Sequence, residues 1–210
     1  MKMQEQEFSV WPLMIDMLTS LLIIIILFNF FDEILRPENL EQKLVEIRRA
    51  QFLEEFTASF NEELRSNKIQ IDSKFDYLQI TFSDRILFGS GSFQLNPQGA
   101  AILGRFRNLI PSNAKNKIIN FIQVEGHTDP NRISNSFTFP VDNWDLSAAR
   151  AIAVVRFLID TNNKNQVLPS LFSANGFGQF QPVSKDDNKN RRIEIKVYFS
   201  DKQSTINGQG

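Results

Sequence analysis

The chain has 210 residues, of which 42% are hydrophobic and 22% are charged, and its formal net charge is −1. This length fits one domain of ordinary size plus an additional element, and the composition is sufficient for a packed core. The near-zero charge, without a basic stripe, argues against a nucleic-acid partner. The absence of cysteine fits both the cell envelope and the cytosol, so it does not decide the compartment.

The first predicted element is an apolar segment over residues 10–31, VWPLMIDMLTSLLIIIILFNFF, which follows a short polar start at residues 1–9. A helix of this length covers about 33 Å, which matches the bilayer hydrocarbon core of about 30 Å. A secretory signal peptide would have a basic start, a shorter apolar run and a small-residue cleavage site. We therefore predict a retained transmembrane helix, whose flanking charges do not set its orientation.

Asp16 lies inside this apolar segment, and Thr19 shares its helix face three residues later. A carboxylate in a transmembrane segment costs several kcal/mol unless it is neutralised or faces a polar cavity. One alternative is that the span begins after Asp16. Residues 17–31 would then form only about 22 Å of helix, which is short for a bilayer. The position therefore favours a functional carboxylate.

A linker region is predicted over residues 32–67, where Pro37 precedes a charged stretch with apolar residues at spacings of three and four. This pattern predicts an amphipathic connecting helix. Its first part would lie along a membrane or a partner, and its second part would pack on a domain. The apolar positions are Leu40, Leu44, Ile47, Phe52, Phe56, Phe60 and Leu64.

From residue 68 onward, strand and helix patterns alternate. KIQIDSKFDYLQITF alternates with a period of two around a turn near residues 73–74. A helix follows with Pro97 near its start, then the strand KIINFIQVEGHTD, the helix NWDLSAARAIAVVRFLID and two further strands. The order β-(β)-α-β-α-β-β predicts an α+β sandwich with helices on one face of a mixed sheet. The tail over residues 201–210 is polar and is predicted to be disordered.

The second of these helices carries the most detailed predictions. Asn143 or Asp145 is predicted to cap its N-terminus. The spacing of its apolar residues predicts a buried side formed by Leu146, Ala149, Ile152, Ala153, Arg156 and Phe157.

Five motifs, in a fixed order, resemble the OmpA/MotB C-terminal peptidoglycan-binding domain: ILFGSGSFQLNPQGAAIL, VEGHTD, NWDLSAARAIAVVRFL, NGFGQFQPV and NRRIEI. The resemblance implies an OmpA-like βαβαββ domain over residues 68–200. The N-terminal anchor with its aspartate is similar to the B subunits of flagellar stators, in which a plug segment follows the anchor. By that resemblance the protein is a single-pass inner-membrane protein with a cytoplasmic N-terminus and a periplasmic C-terminal domain.

The same resemblance implies a binding site for the diaminopimelate of the peptidoglycan stem peptide, which is a zwitterion. Asp129 would bind its ammonium group and Arg150 its carboxylate, because arginine offers a bidentate fork. His127 is the only histidine, and neither cysteine nor a nucleophile motif accompanies it, so neither a metal nor a catalytic site is expected and no cofactor is implied. The remaining residues implied in the pocket are Thr128, Asn143, Asn190, Arg191 and Arg192. The family's glycine-arginine step is missing before NRR, where only SKDDNK stands.

By resemblance, Asp16 with Thr19 would carry H⁺ or Na⁺. The chain would form a homodimer threaded through a pentamer of multi-span MotA/ZorA-like subunits, and ion passage would drive rotation. The motor would serve flagellar rotation or a Zorya-type anti-phage defence system. Two other classes stay open at this point. One is a passive OmpA-like tether between inner membrane and cell wall, in which Asp16 is incidental. The other is an envelope hydrolase, which has no catalytic constellation to support it.

Overall fold

The computed structural model describes residues 10–35, 37–110, 119–131, 139–159 and 167–199, and divides the chain into two compact units, residues 1–44 and 45–210. The predicted polar start at residues 1–9 and the predicted disordered tail at residues 201–210 lie outside the described residues. Each unit is a structure of its own, and the boundary between them falls within a helix.

The N-terminal unit contains helix α1, Trp11–Leu35, which extends beyond the predicted end of the apolar segment at residue 31. Its large apolar side chains are exposed along the whole length described. A helix that is apolar all round is typical of a membrane span or of the core of a large protein. By length and composition, residues 11–34 of this helix are sufficient to cross a bilayer.

Helix α2, Pro37–Ser59, begins with proline at its first position, where the missing amide N–H costs nothing. Its C-terminal part belongs to the second unit and is followed by the short helix α3, Asn61–Arg65. Phe52, Phe56 and Phe60 are buried in the core, which confirms that the second part of the linker packs on the domain. The ring of Phe56 stacks on Phe60 with centroids 4.5 Å apart.

The C-terminal unit contains five strands among the described residues, and they form one sheet in the order β1-β2-β5-β3-β4. Only the β3–β4 pair is parallel, so the sheet is mixed, as predicted. The strands are β1 Ile69–Ser73, β2 Tyr77–Ser83, β3 Ile119–His127, β4 Phe172–Gly176 and β5 Arg192–Phe199. The helices are α4 Asp84–Leu87, α5 Pro97–Leu109, α6 Asn143–Leu158 and α7 Asp187–Asn190. The predicted order of strands and long helices is confirmed.

The core lies on one face of this sheet. Alternate residues of β2 are buried and stand opposite buried residues of β5 in the register, as in the pair Ile80 and Ile195. These side chains form one apolar cluster with residues of α2, α5 and α6, including Phe106 and Val154. The period of two leaves polar side chains such as Gln79 on the opposite side, which is called the open face below.

Two predictions about α6 are wrong. The cap is Asp142, whose side chain accepts a hydrogen bond from the Asp145 backbone amide, while Asn143 is the first helical residue. Ile152 and Arg156 are exposed, because the buried side of the helix runs through Ser147, Ala151, Val154 and Leu158 instead. The buried side is Asn143, Leu146, Ser147, Ala149, Arg150, Ala151, Val154 and Leu158.

Candidate functional site

Helix α6 lies unusually close to strands β3 and β4, and glycines permit this. A Cβ atom on Gly126 would lie 2.1 Å from the Ser147 carbonyl oxygen, and one on Gly176 would lie 2.5 Å from the Ala148 amide nitrogen. The Ser147 hydroxyl in turn accepts a hydrogen bond from the Gly178 amide at 2.9 Å. These contacts fix the first half of α6 against the carboxyl ends of the two strands, where loops begin.

A cavity of about 690 Å³ opens at this end of the sheet. Its size is that of a small-molecule site. The structure brings five of the seven residues predicted for peptidoglycan binding to its wall: Thr128, Asp129, Asn143, Arg150 and Arg191. Asp84, Arg85 and Phe88, which follow strand β2, also line it.

Arg150 is held in the cavity wall by three groups. Its Nη1 atom lies 3.1 Å from an Asp84 carboxylate oxygen, and its Nε–H donates to the Ser92 carbonyl oxygen at 2.9 Å. The guanidinium carbon lies 5.3 Å from the centre of the Phe88 ring, within the range of a cation–π contact. Sequence reasoning missed Asp84. The available signal was an acidic residue placed two positions before the first family motif.

The Asp84–Arg150 pair is buried, and both pKa values move toward the neutral forms. Burial raises the pKa of Asp84, although the nearby Arg150 charge opposes this. Burial likewise lowers the pKa of Arg150, against the influence of Asp84. Desolvation therefore outweighs the attraction between the two charges, as is common for buried pairs. The cavity holds these charges at a cost to stability.

The loop after β3 presents the second ion pair of the cavity, between Asp129 and Arg191. The Asn143 side-chain amide donates to the backbone carbonyls of Asp129 and Asn131 at 3.0 and 3.1 Å, which ties this loop to the start of α6. The Thr128 hydroxyl is buried and has no hydrogen-bond partner among the described residues. The cavity thus combines two carboxylates, three guanidinium groups and the unpartnered Thr128 hydroxyl.

Residues 87–196 match the OmpA family, which is more than half of the chain. The chain belongs to the OmpA family. It is 31% identical over 160 residues to Motility protein B of Bacillus subtilis (strain 168), an alignment that covers 67% of this chain and 58% of that relative. The chain therefore spans less than two thirds of the relative's length.

Solved structures share the fold of this OmpA-family chain. A putative MotB-like protein from Desulfovibrio vulgaris superposes with a TM-score of 0.61 at 24% identity, over 76% of this chain and 99% of that one. The cell wall anchor of the type VI secretion system (T6SS) from Pseudomonas aeruginosa superposes with a TM-score of 0.57 at 24% identity, over 69% and 96% of the two chains.

Two residues implied by the family resemblance do not line the cavity. The Asn190 side chain accepts hydrogen bonds from the amides of Val183 and Ser184 and donates to the Ser184 carbonyl, so it holds a turn. Arg192, one residue after Arg191, points to the open face and pairs with Glu194 at 2.6 Å. Arg191 is the residue before β5 and reaches the cavity, whereas Arg192 is the first residue of the strand.

His127 also lies away from the cavity of this OmpA-family domain. Its ring is buried, stacks on Phe177 with centroids 5.3 Å apart, and places Nε2 3.6 Å from a Glu125 oxygen. Glu125, His127 and Glu194 place potential metal-ligand atoms within 4.8 Å of one another. Each of the two carboxylates already has a cationic partner: Glu125 pairs with Lys196 at 2.8 Å, and Glu194 with Arg192. The group is therefore balanced in charge as it stands.

In the N-terminal unit, Asp16 and Thr19 lie one turn apart on α1, and both are exposed. The Thr19 hydroxyl donates a hydrogen bond to the Asp16 backbone carbonyl at 2.9 Å. Such bonds to the preceding turn are the usual way for a helical threonine to satisfy its hydroxyl. The Asp16 carboxylate projects from the same apolar helix.

Proposed function

We propose that the C-terminal unit binds the diaminopimelate of peptidoglycan in the cavity at the start of α6. The observation that carries this proposal is the pairing of opposite charges in one cavity, with Asp129 facing Arg191 and Arg150 facing Asp84. A zwitterionic ligand is complementary to such a site, since its ammonium group takes the place of Arg191 beside Asp129. Its carboxylate approaches Arg150, and charge-assisted hydrogen bonds of this kind are strong.

In this proposal, neutral side chains around these charges also help to bind and position the ligand. The unpartnered Thr128 hydroxyl offers a hydrogen bond to the ligand, and Asn143 keeps the Asp129 loop in place. One neighbour of known structure is a cell wall anchor, which supports a wall-binding role, and one relative is a motility protein, which supports the motor role proposed next.

We further infer that the protein is the B subunit of an ion-driven motor in the inner membrane. In this proposal α1 is a single span with a cytoplasmic N-terminus, and the C-terminal unit lies in the periplasm. Asp16 then lies in the cytoplasmic half of the span and carries H⁺ or Na⁺, with Thr19 one turn away. An ionisable residue in an otherwise apolar span is costly to retain without a function, which supports this role.

One helix with one carboxylate does not form an ion pathway, so the proposal requires partners. They are a second copy of this chain and a pentamer of multi-span MotA/ZorA-like subunits around the dimer. The resulting rotation serves flagellar motility or a Zorya-type anti-phage defence. The alternative is a passive tether, for which the cavity suffices and Asp16 is dispensable.

The deciding experiment compares Asp16→Asn and Arg150→Ala in cells that carry the partner subunit. We expect Asp16→Asn to abolish motor output, measured as swimming or phage protection, while the protein still sediments with purified peptidoglycan. Arg150→Ala is expected to weaken sedimentation, whereas Arg156→Ala, an exposed arginine on the same helix, leaves it unchanged. Full output from Asp16→Asn would instead assign the tether function, and normal sedimentation of Arg150→Ala would remove this cavity from wall binding.

A further inference from the structure

A second cavity, of about 600 Å³, lies on the open face of the sheet. Its floor consists of outward side chains of β1, β2 and β5, which the strand register places in rows, such as Gln70 beside Thr81 beside Glu194. Gln79 extends the floor in the next row. This cavity is called the open-face groove below. Its walls are polar amides, hydroxyls and charges, which suits a hydrated, hydrogen-bonding ligand rather than an apolar one.

The open-face groove adjoins the cavity that contains Arg150. Arg191 lines both cavities. Asn188 lines the groove, and its side-chain oxygen accepts hydrogen bonds from Arg191 and from Arg85, which lines the first cavity. A ligand longer than one amino acid can therefore occupy both sites by passing over Arg191.

The charges of the open-face groove favour an anionic group. Before a ligand binds, Glu194 is paired with Arg192 and Arg191 is paired with Asp129, so these four charges are balanced. The other charged side chains that line the groove are Lys68, Lys189 and Asp72, which leaves an excess of one positive charge. Both lysines are exposed and can meet a ligand carboxylate, although the charge of Lys68 also acts on the nearby Glu63 carboxylate.

We propose that the open-face groove binds the part of the stem peptide and sugar that leads away from the diaminopimelate held in the first cavity. This inference rests on the proposed wall-binding function. The residue that precedes diaminopimelate in such a stem is a γ-linked glutamate with a free carboxylate, which Lys68 and Lys189 meet. The sugar beyond it offers hydroxyl and acetamido groups, and these exchange hydrogen bonds with Gln70, Gln79 and Thr81. Binding of the first group raises the effective concentration of the second at its own site.

The test measures calorimetric affinity of the full chain in lipid nanodiscs for two ligands. The short ligand is free meso-diaminopimelate, and the long one is N-acetylmuramyl-L-Ala-γ-D-Glu-meso-diaminopimelate. We expect the unaltered chain to bind the long ligand at least about tenfold more tightly, as linked contacts allow. The double substitution Lys68→Glu with Lys189→Glu is expected to remove that advantage and to leave the affinity for the short ligand unchanged.

Lys185→Glu is the matched control, because Lys185 is exposed two residues before α7, the helix that contains Lys189, but does not line the groove. It should bind both ligands as the unaltered chain does. If the double variant binds the long ligand as tightly as the unaltered chain does, and binds the short one normally, the proposal for the open-face groove is wrong. The proposal for the first cavity would then still stand. Failure of the unaltered chain to bind either ligand would overturn both proposals.

Discussion

Two buried carboxylates of the C-terminal unit illustrate opposite balances between desolvation and pairing. At Asp84, burial outweighs the charge of Arg150 and raises the pKa. At Glu125, burial also acts to raise the pKa, but the neighbouring His127 and Lys196 outweigh it, and the pKa lies below its ordinary value. The pKa of Lys196 shows the same balance: burial acts to lower it, but Glu125 raises it above the ordinary value. Folding therefore favours the charged form of Glu125, and its ion pair with Lys196 stabilises the fold. For Asp84, folding favours the neutral form, so its charge costs stability.

The opposite pKa shifts of Glu125 and Asp84 predict that stability depends on pH in opposite ways for the two variants, Glu125→Gln and Asp84→Asn, made in residues 45–210. Glu125→Gln should lower the free energy of unfolding by about 1–3 kcal/mol at pH 7, since a charge-assisted bond is lost. Because the Glu125 pKa is lowered on folding, this difference is present above pH 4.5 and shrinks as the pH falls through the folded-state pKa.

For Asp84→Asn, the raised pKa makes the unaltered protein gain stability relative to the variant as the pH falls toward 3.8. Urea unfolding at several pH values measures both, and slopes of equal sign would contradict the prediction.

At the scale of elements, the sequence predicted the buried faces that follow from the periodicity of apolar residues. It did not predict the contacts that depend on how closely helix α6 approaches the sheet. The period of two in β2 and the spacing of four in α2 both describe the observed core. In α6 the pattern correctly indicated Leu146 and Ala149 but also Ile152, which is exposed. A count of apolar residues cannot reveal that Ser147 and Ala151 face the sheet, because glycines on other strands decide it. Long-range partners such as Asp84 for Arg150 are likewise invisible before the strands are paired.

The close contact between α6 and β3 gives a prediction for Gly126→Ala. The added methyl group would meet the Ser147 carbonyl oxygen at 2.1 Å, so the helix must move away from the strand. We expect a loss of about 1–3 kcal/mol in the free energy of unfolding, as for other overpacked sites, together with weaker sedimentation with peptidoglycan. Gly104→Ala is the control, because nothing lies within 4 Å of its added Cβ and it sits inside helix α5. That variant should be neutral or gain up to about 1 kcal/mol. Equal stability of the two variants would show that α6 can shift without cost.

At the scale of the whole molecule, helix α2 belongs to both compact units, since the boundary falls between Leu44 and Val45. The aromatic residues of its C-terminal part are integral to the core of the second unit. Phe52 packs edge-on against Phe199 of β5 with ring centroids 5.7 Å apart, and Phe56 meets Phe106 of α5 at 6.4 Å. The linker predicted over residues 32–67 is therefore partly a structural element of the C-terminal unit, which is longer at its N-terminus than the family motifs indicate.

Two truncations test this division of the chain. Residues 45–210 are expected to fold cooperatively and to sediment with peptidoglycan, because all core contacts of the second unit are retained. Residues 60–210 lack Phe52 and Phe56, and each buried aromatic side chain contributes about 3–5 kcal/mol when judged by truncation to alanine. Since a domain of this size is stable by only about 5–15 kcal/mol, the shorter fragment should melt at a much lower temperature or be unfolded. Circular dichroism melting curves and sedimentation measure the two outcomes. Identical melting of both fragments would mean that α2 only connects the units, and that the phenylalanine stack is a consequence of the fold rather than one of its supports.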